Sequence, residues 1–156
     1  MDSLLSSPLS LYSIPIVWLT AVVPAALRNR AVASLKGFNN VQPRGNTSRV
    51  RNDKEVPPAV AARIERMEGA HLNGNENMPL WAVAVLAANF AGLDTRTVNL
   101  VSFAYISGRI LYNYLYITQT TRLQGALRSL TFFAALSLPL YLLVAAAGKV
   151  AKDGQK

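Results

Sequence analysis

Three polar groups set within apolar sequence have the types and spacing to do chemistry. The first lies in Arg63 to Trp81, where Arg66, His71, Asn73, Glu76 and Asn77 precede the apolar run Leu80 to Ala91. Helical spacing puts Arg66, Ala70, Asn73 and Asn77 on one stripe, with Glu76 within a turn of Asn73. The second group is Arg109, Tyr112, Asn113 and Tyr116, spaced i, i+3, i+4 and i+7 and so on one helix face. The third is Arg128-Ser129, at the head of the last apolar run. A site built from these is cationic, with Arg109 and Arg128 as fixed charges, and selects an anionic ligand. Tyrosines and asparagines offer hydrogen bonds, and Glu76 offers an acceptor to an ammonium or amide. Carboxylates, an amine and peptide groups on one ligand match this set. An arginine beside a thiol favours the thiolate, which is the nucleophile, and Ser129 can hydrogen-bond the same sulfur. The competing structural reading is that the polar groups satisfy one another between helices. His71 in particular suits interhelical hydrogen bonding better than base catalysis.

The chain contains no cysteine, so a reacting thiol must arrive on a small molecule. One histidine and eight acidic residues, the latter mostly in loops, leave no basis for a metal site. The 156 residues make one domain, 1–156, half of it apolar yet with a net charge of +8. That pairing suits a small membrane protein with basic loops. Nucleic acid is not an expected partner, because the basic residues gather in a loop between apolar runs and form no groove-reading module.

Four apolar segments are expected to be helices: 4–27, 59–91, 95–117 and 125–147. Membrane-spanning helices need about 20 residues. The first follows Met1-Asp2 without a basic leader, so it reads as retained rather than cleaved. A basic loop, 28–58, joins the first two, and the positive-inside rule assigns it to the cytosol. Within it, Arg44 follows Pro43 and is held by it. Pro57-Pro58 opens the second helix. That helix is about 50 Å long at 1.5 Å per residue, so its first third projects from the bilayer or packs on the loop. Gly92 and Asp94 supply a C-cap and an N-cap. The tail from Gly148 is expected to fray. Alternating sides then bring all three polar groups to the cytosolic half of the bilayer. They imply one polar cavity, open to the cytosol, inside an otherwise apolar all-α four-helix bundle.

Glu65-Arg66-x-x-x-Ala70-His71-x-Asn73-x-x-Glu76-x-x-Pro79-Leu80 resembles the second-helix signature of the MAPEG family (membrane-associated proteins in eicosanoid and glutathione metabolism). Arg109-x-x-Tyr112-x-x-x-Tyr116 resembles its third-helix motif, Arg128-Ser129 the start of its fourth helix, and Asn40-x-x-Pro43-Arg44 a first-loop motif. The resemblance covers nearly the whole chain, in order. It implies a multi-pass homotrimer of the endoplasmic reticulum or a similar membrane. Glutathione, as co-substrate, would bind between protomers near the cytosolic face. Asn73, Glu76, Tyr112 and Tyr116 would contact it, with Arg109, Asn113, Arg44 and His71 as further binding candidates. Arg128 would activate the thiol, beside Ser129.

Three departures narrow the resemblance. Gly69 stands where many members have arginine, Leu72 where some prostaglandin E synthases have another, and Phe132 where some catalytic members have tyrosine. They direct the expectation toward a broad microsomal glutathione transferase-like member rather than a prostaglandin or leukotriene synthase. The expected activity is glutathione transfer to hydrophobic electrophiles, or peroxidase action on lipid hydroperoxides. The alternatives are a glutathione-dependent isomerase and a non-catalytic lipid-binding scaffold on the same fold.

Overall fold

The structure, a computed structural model, describes residues 7–154. Residues 4–6 of the expected first helix lie outside the described residues. Five α-helices occupy these residues: α1 (Ser10–Lys36), α2 (Asn46–Arg51), α3 (Pro58–Phe90), α4 (Thr95–Thr118) and α5 (Arg122–Asp153). A single 3₁₀ turn, Pro43–Gly45, precedes α2, and there is no strand among the described residues. The four long helices lie alongside one another. α3 and α4 touch each other and both remaining long helices, whereas α1 and α5 do not meet. The inner pair is therefore α3 and α4, flanked by α1 and α5.

This arrangement explains why only two helices, α1 and α5, are apolar and long enough to cross a membrane by composition. The inner helices bury their polar residues: Asn99, Ser102, Arg109 and Asn113 of α4 are all buried. The flanking helices turn apolar residues outward, among them Leu19, Leu130 and Val144. An apolar exterior around a partly polar interior suits a hydrocarbon solvent.

The main core joins Val17, Trp81, Ala84, Val85, Ala88, Tyr105 and Leu142. Trp81 stacks on Tyr105 with centroids 4.0 Å apart, and its indole N–H donates to Ser13 Oγ at 3.1 Å. Burying Trp81 costs little because its one polar atom has a partner. The α1 N-terminus is tied down nearby, where Ser10 N donates to Asn99 Oδ1 at 2.8 Å.

α1 approaches α3 closely at Gly74. A methyl group there would sit 2.5 Å from Ala21 Cβ and 2.9 Å from Ala21 Cα, so only hydrogen fits. Small residues permit such backbone contact between membrane helices. Gly74→Val is expected to force the pair apart and to destabilise the fold by about 1–3 kcal/mol or more, the usual cost of overpacking. A thermal midpoint in detergent checks this; an unchanged value would remove the close crossing.

Pro24 lies inside α1 and has no N–H to give the carbonyl four residues back. That carbonyl, Thr20 O, instead accepts from Asn113 Nδ2 at 2.7 Å. One residue on, Ala21 O is 2.7 Å from His71 Nδ1. Side chains from neighbouring helices thus satisfy backbone near the proline, as membrane helices require.

The first connection is more ordered than a topological loop. α1 continues nine residues beyond Leu27 and stops at Gly37, whose φ of +68° suits glycine. The extension buries Val32 against Val50, Val56, Ala61 and Ile64. Hydropathy misplaced this end because a span stops at the first charges, whereas a helix need not. Asn46, also buried, knots the loop: its Nδ2 donates to Asn39 O and Pro43 O, both at 3.0 Å. Much of the basic charge is paired, Arg28 with Glu68 at 2.9 Å, Lys36 with Asp53 at 3.0 Å and Arg51 with Glu65 at 3.1 Å. The first third of α3 accordingly packs on this segment.

The turns follow side-chain chemistry. Gly92, at φ +65°, ends α3 in a Schellman pattern, with Leu93 N donating to Ala88 O and Gly92 N to Asn89 O. Asp94 caps α4 by accepting from Thr97 Oγ1 and Thr97 N, and these bonds hold its carboxyl below the usual range. α5 starts at Arg122, earlier than residue 125, because Thr121 and Gln124 form a reciprocal capping box. It runs on through Asp153 rather than fraying from Gly148, and Lys149 pairs with Asp153 one turn later.

Candidate functional site

An open groove of about 450 Å³ lies between α3, α4 and α5. Gly69, Leu72, Asn73 and Glu76 line it from α3, Tyr112 and Tyr116 from α4, and Arg128, Ser129, Phe132 and Phe133 from α5. The helices are antiparallel neighbours, so the first half of α3, the last turns of α4 and the first turns of α5 meet at one end. The same end carries the basic segment. Arg66 helps fix this register: its Nε donates to Ile117 O, a terminal carbonyl of α4, at 3.0 Å.

Arg128 is placed by two contacts. Its guanidinium lies over the Tyr116 ring, 5.0 Å from the centroid. Its Nη2 donates to Ser129 Oγ at 3.3 Å, and Ser129 Oγ in turn donates to Gly125 O at 3.1 Å. Tyr116 meets Tyr112 edge to face at 5.6 Å, and Tyr112 meets Phe132 at 5.8 Å. One wall is therefore aromatic and carries a cation, while Phe132 and Phe133 continue it as an apolar shelf. The Glu76 side chain lines the groove and has no hydrogen bond or ion pair among the described residues.

Arg109 stands behind the first wall. It is 2% exposed. Its Nη1 donates to Asn73 Oδ1 at 3.0 Å, and its guanidinium lies 4.7 Å from the Tyr112 ring centroid. Its Nη2 has no hydrogen-bond partner among the described residues. Asn73 is itself braced, since its carbonyl accepts from Asn77 Nδ2 at 2.9 Å. Arg109 thus orients Asn73 and Tyr112, two groove residues, from within the protein. A buried guanidinium with one acceptor leaves strong positive potential at that wall.

Of the ten residues singled out by sequence, the structure brings six to the groove: Asn73, Glu76, Tyr112, Tyr116, Arg128 and Ser129. Arg109 supports them from behind. Asn113 shares the buried face of α4 but turns to α1 and Thr20 O. His71 turns to Ala21 O, with its Nε2 3.2 Å from Asn75 Nδ2. Arg44 is exposed in the 3₁₀ turn and is not part of the groove wall. Phe133 was not singled out, although it lies one helical turn beyond Ser129. Arg66, placed on the polar stripe by spacing, binds a helix end instead.

Gly69 has a reason of its own. A Cβ at this position would meet Tyr116 OH at 2.6 Å, so the tyrosine hydroxyl fills the place of a side chain.

The chain belongs to the MAPEG family, whose pattern matches residues 6–148. This is a membrane-associated family that includes glutathione transferases, peroxidases and isomerases. Neither the curated proteins nor the solved structures contain a significant match.

Proposed function

We propose that the protein is a membrane-bound glutathione transferase or peroxidase that activates the glutathione thiol at Arg128. The observation carrying this reading is the convergence of Arg128, Ser129, Tyr116, Asn73 and Glu76 on one groove. The groove's volume lies in the range of roughly 300–1,000 Å³ common for small-ligand sites. Its donor set fits the tripeptide. Arg128 and the field of Arg109 meet carboxylates and thiolate, Asn73 and the tyrosine hydroxyls meet peptide groups, and Glu76 meets the ammonium.

Arg128 stabilises the thiolate by charge and lowers the thiol's pKa, so more of it is ionised at neutral pH. Ser129 accepts from Arg128 and holds it in place, and by turning its hydroxyl from Gly125 O it would give the sulfur a hydrogen bond. In transfer, the thiolate attacks the electrophilic carbon, the carbon–sulfur bond forms, and the leaving group departs with its electron pair. In peroxidase action, the thiolate attacks the terminal peroxide oxygen and the O–O bond breaks. An alcohol leaves after protonation, and a second glutathione converts the sulfenic acid to disulfide and water. The Phe132–Phe133 shelf presents the hydrophobic partner from the lipid side. The protein supplies orientation and electrostatic stabilisation to a borrowed nucleophile.

The reading includes a homotrimer of four-helix-bundle protomers. The exposed stripe of α3, Leu72, Glu76, Pro79, Val83, Leu86 and Phe90, follows alternating four- and three-residue steps. That heptad spacing is the seam by which parallel helices associate. Leu72 and Glu76 belong both to this seam and to the groove, so a neighbouring copy would close the site. With the basic end in the cytosol, as the positive-inside rule directs, the site meets cytosolic glutathione. The endoplasmic reticulum is the expected membrane.

The test is product analysis. Protein purified in mild detergent is incubated with glutathione and an aryl halide, a lipid hydroperoxide or a conjugated enone. A thioether identifies transfer, alcohol with glutathione disulfide identifies peroxidase action, and an isomer without net glutathione consumption identifies isomerase action. No product from any of them would favour the lipid-binding scaffold. That second reading draws on Gly69, where Tyr116 occupies the place of an additional carboxylate anchor.

A further inference from the structure

A second groove, of about 500 Å³, runs between α1 and α4. Ile16, Leu19 and Val23 form one side, and Ile110 and Ile117 the other. Both sides run toward the basic end, and there the lining changes to Thr118 and Arg63. Arg63 is exposed and has no ion pair or hydrogen bond among the described residues, unlike Arg28, Lys36 and Arg51. Partway along, Asn113 contributes to the wall with 9% exposure, and its Oδ1 has no donor among the described residues. The other apolar grooves, at Phe103 and at Phe90, contain no cation. An apolar trough ending in a free arginine is complementary to an amphiphile with one chain and one negative head.

We propose that this groove holds an acyl chain of an anionic membrane phospholipid, with its phosphate on Arg63. Basic pockets between membrane helices on the cytoplasmic side bind such headgroups. The site is separate from the groove of Arg128 and uses none of its residues. It rests on the membrane reading and not on the glutathione reading.

The protein is purified in mild detergent and exchanged into phosphatidylglycerol, phosphatidylcholine of the same chains, or the free fatty acid. Retained lipid is counted by native mass spectrometry. Phosphatidylglycerol is expected to be held more tightly than phosphatidylcholine. Arg63→Gln should reduce that preference about fivefold, the worth of one arginine at a membrane surface, with glutathione turnover unchanged. Ile110→Trp, which fills the trough, should lower retention of both phospholipids. Equal retention of the two headgroups, or an Arg63→Gln variant that binds like wild type, would overturn the proposal. So would displacement of phospholipid by the free acid. Because the chain has no cysteine, Val23→Cys reports a single position. Its cross-linking to a second copy would make the groove a subunit interface and reject the lipid site.

Discussion

Arg128→Ala is expected to lower kcat/KM for glutathione-dependent turnover by about 10²–10³, the usual loss when one preorganised charge-stabilising group is removed. The variant should fold and assemble normally, because Arg128 is a partly buried surface residue of the groove with a hydroxyl and a ring as its protein partners. The pH dependence separates a chemical role from a packing role. With Arg128 present, the bound thiol should ionise below its ordinary range. Without it, the thiol returns toward about 8.5, so residual activity should climb as pH rises while wild-type activity is already level. Arg128→Lys should recover part of the rate, since it restores charge without the planar fork. A uniform loss at every pH would assign Arg128 to binding alone.

The second large effect is on stability. Asn73→Leu should destabilise the protein by about 2–3 kcal/mol, because Arg109 then has a buried charge and no side-chain acceptor. Arg109→Met should cost less, since the Asn73 oxygen it frees borders the groove and can meet water. The double variant should be more stable than Asn73→Leu alone, giving a favourable coupling energy between the two sites. Thermal midpoints in detergent measure all three. An Asn73→Leu midpoint equal to wild type would mean that Arg109 is satisfied from outside its own chain.

The all-helical class and the family were legible from the sequence because both rest on residues that repeat a pattern. Apolar runs, the Gly92–Asp94 break and the three polar groups each appear in the letters. What was less legible follows from two physical facts. Helix ends are set by caps rather than by hydropathy, so the Thr121–Gln124 box and Gly37 mark boundaries that an apolar window cannot see. A helix also has more than one buried side. Asn113 and Tyr116 lie close in helical projection, yet one faces α1 and the other the groove. The diversion of Asn113 and His71 became intelligible only through the backbone around Pro24, which needs donors from other helices. Gly69 carried the opposite lesson. Its lack of a side chain looked like a missing anchor, whereas the space is occupied by Tyr116. The basic loop looked like a topology signal, and its ion pairs and Val32 core gave it a structural task as well.

The most direct measurement of the central claim is glutathione titration of the detergent-purified protein, followed by ultraviolet difference absorbance in the thiolate band. The account predicts saturable binding with thiolate absorbance near neutral pH in wild type, and binding with little thiolate in Arg128→Ala. No binding at millimolar glutathione, or the same thiolate signal in both proteins, would contradict it.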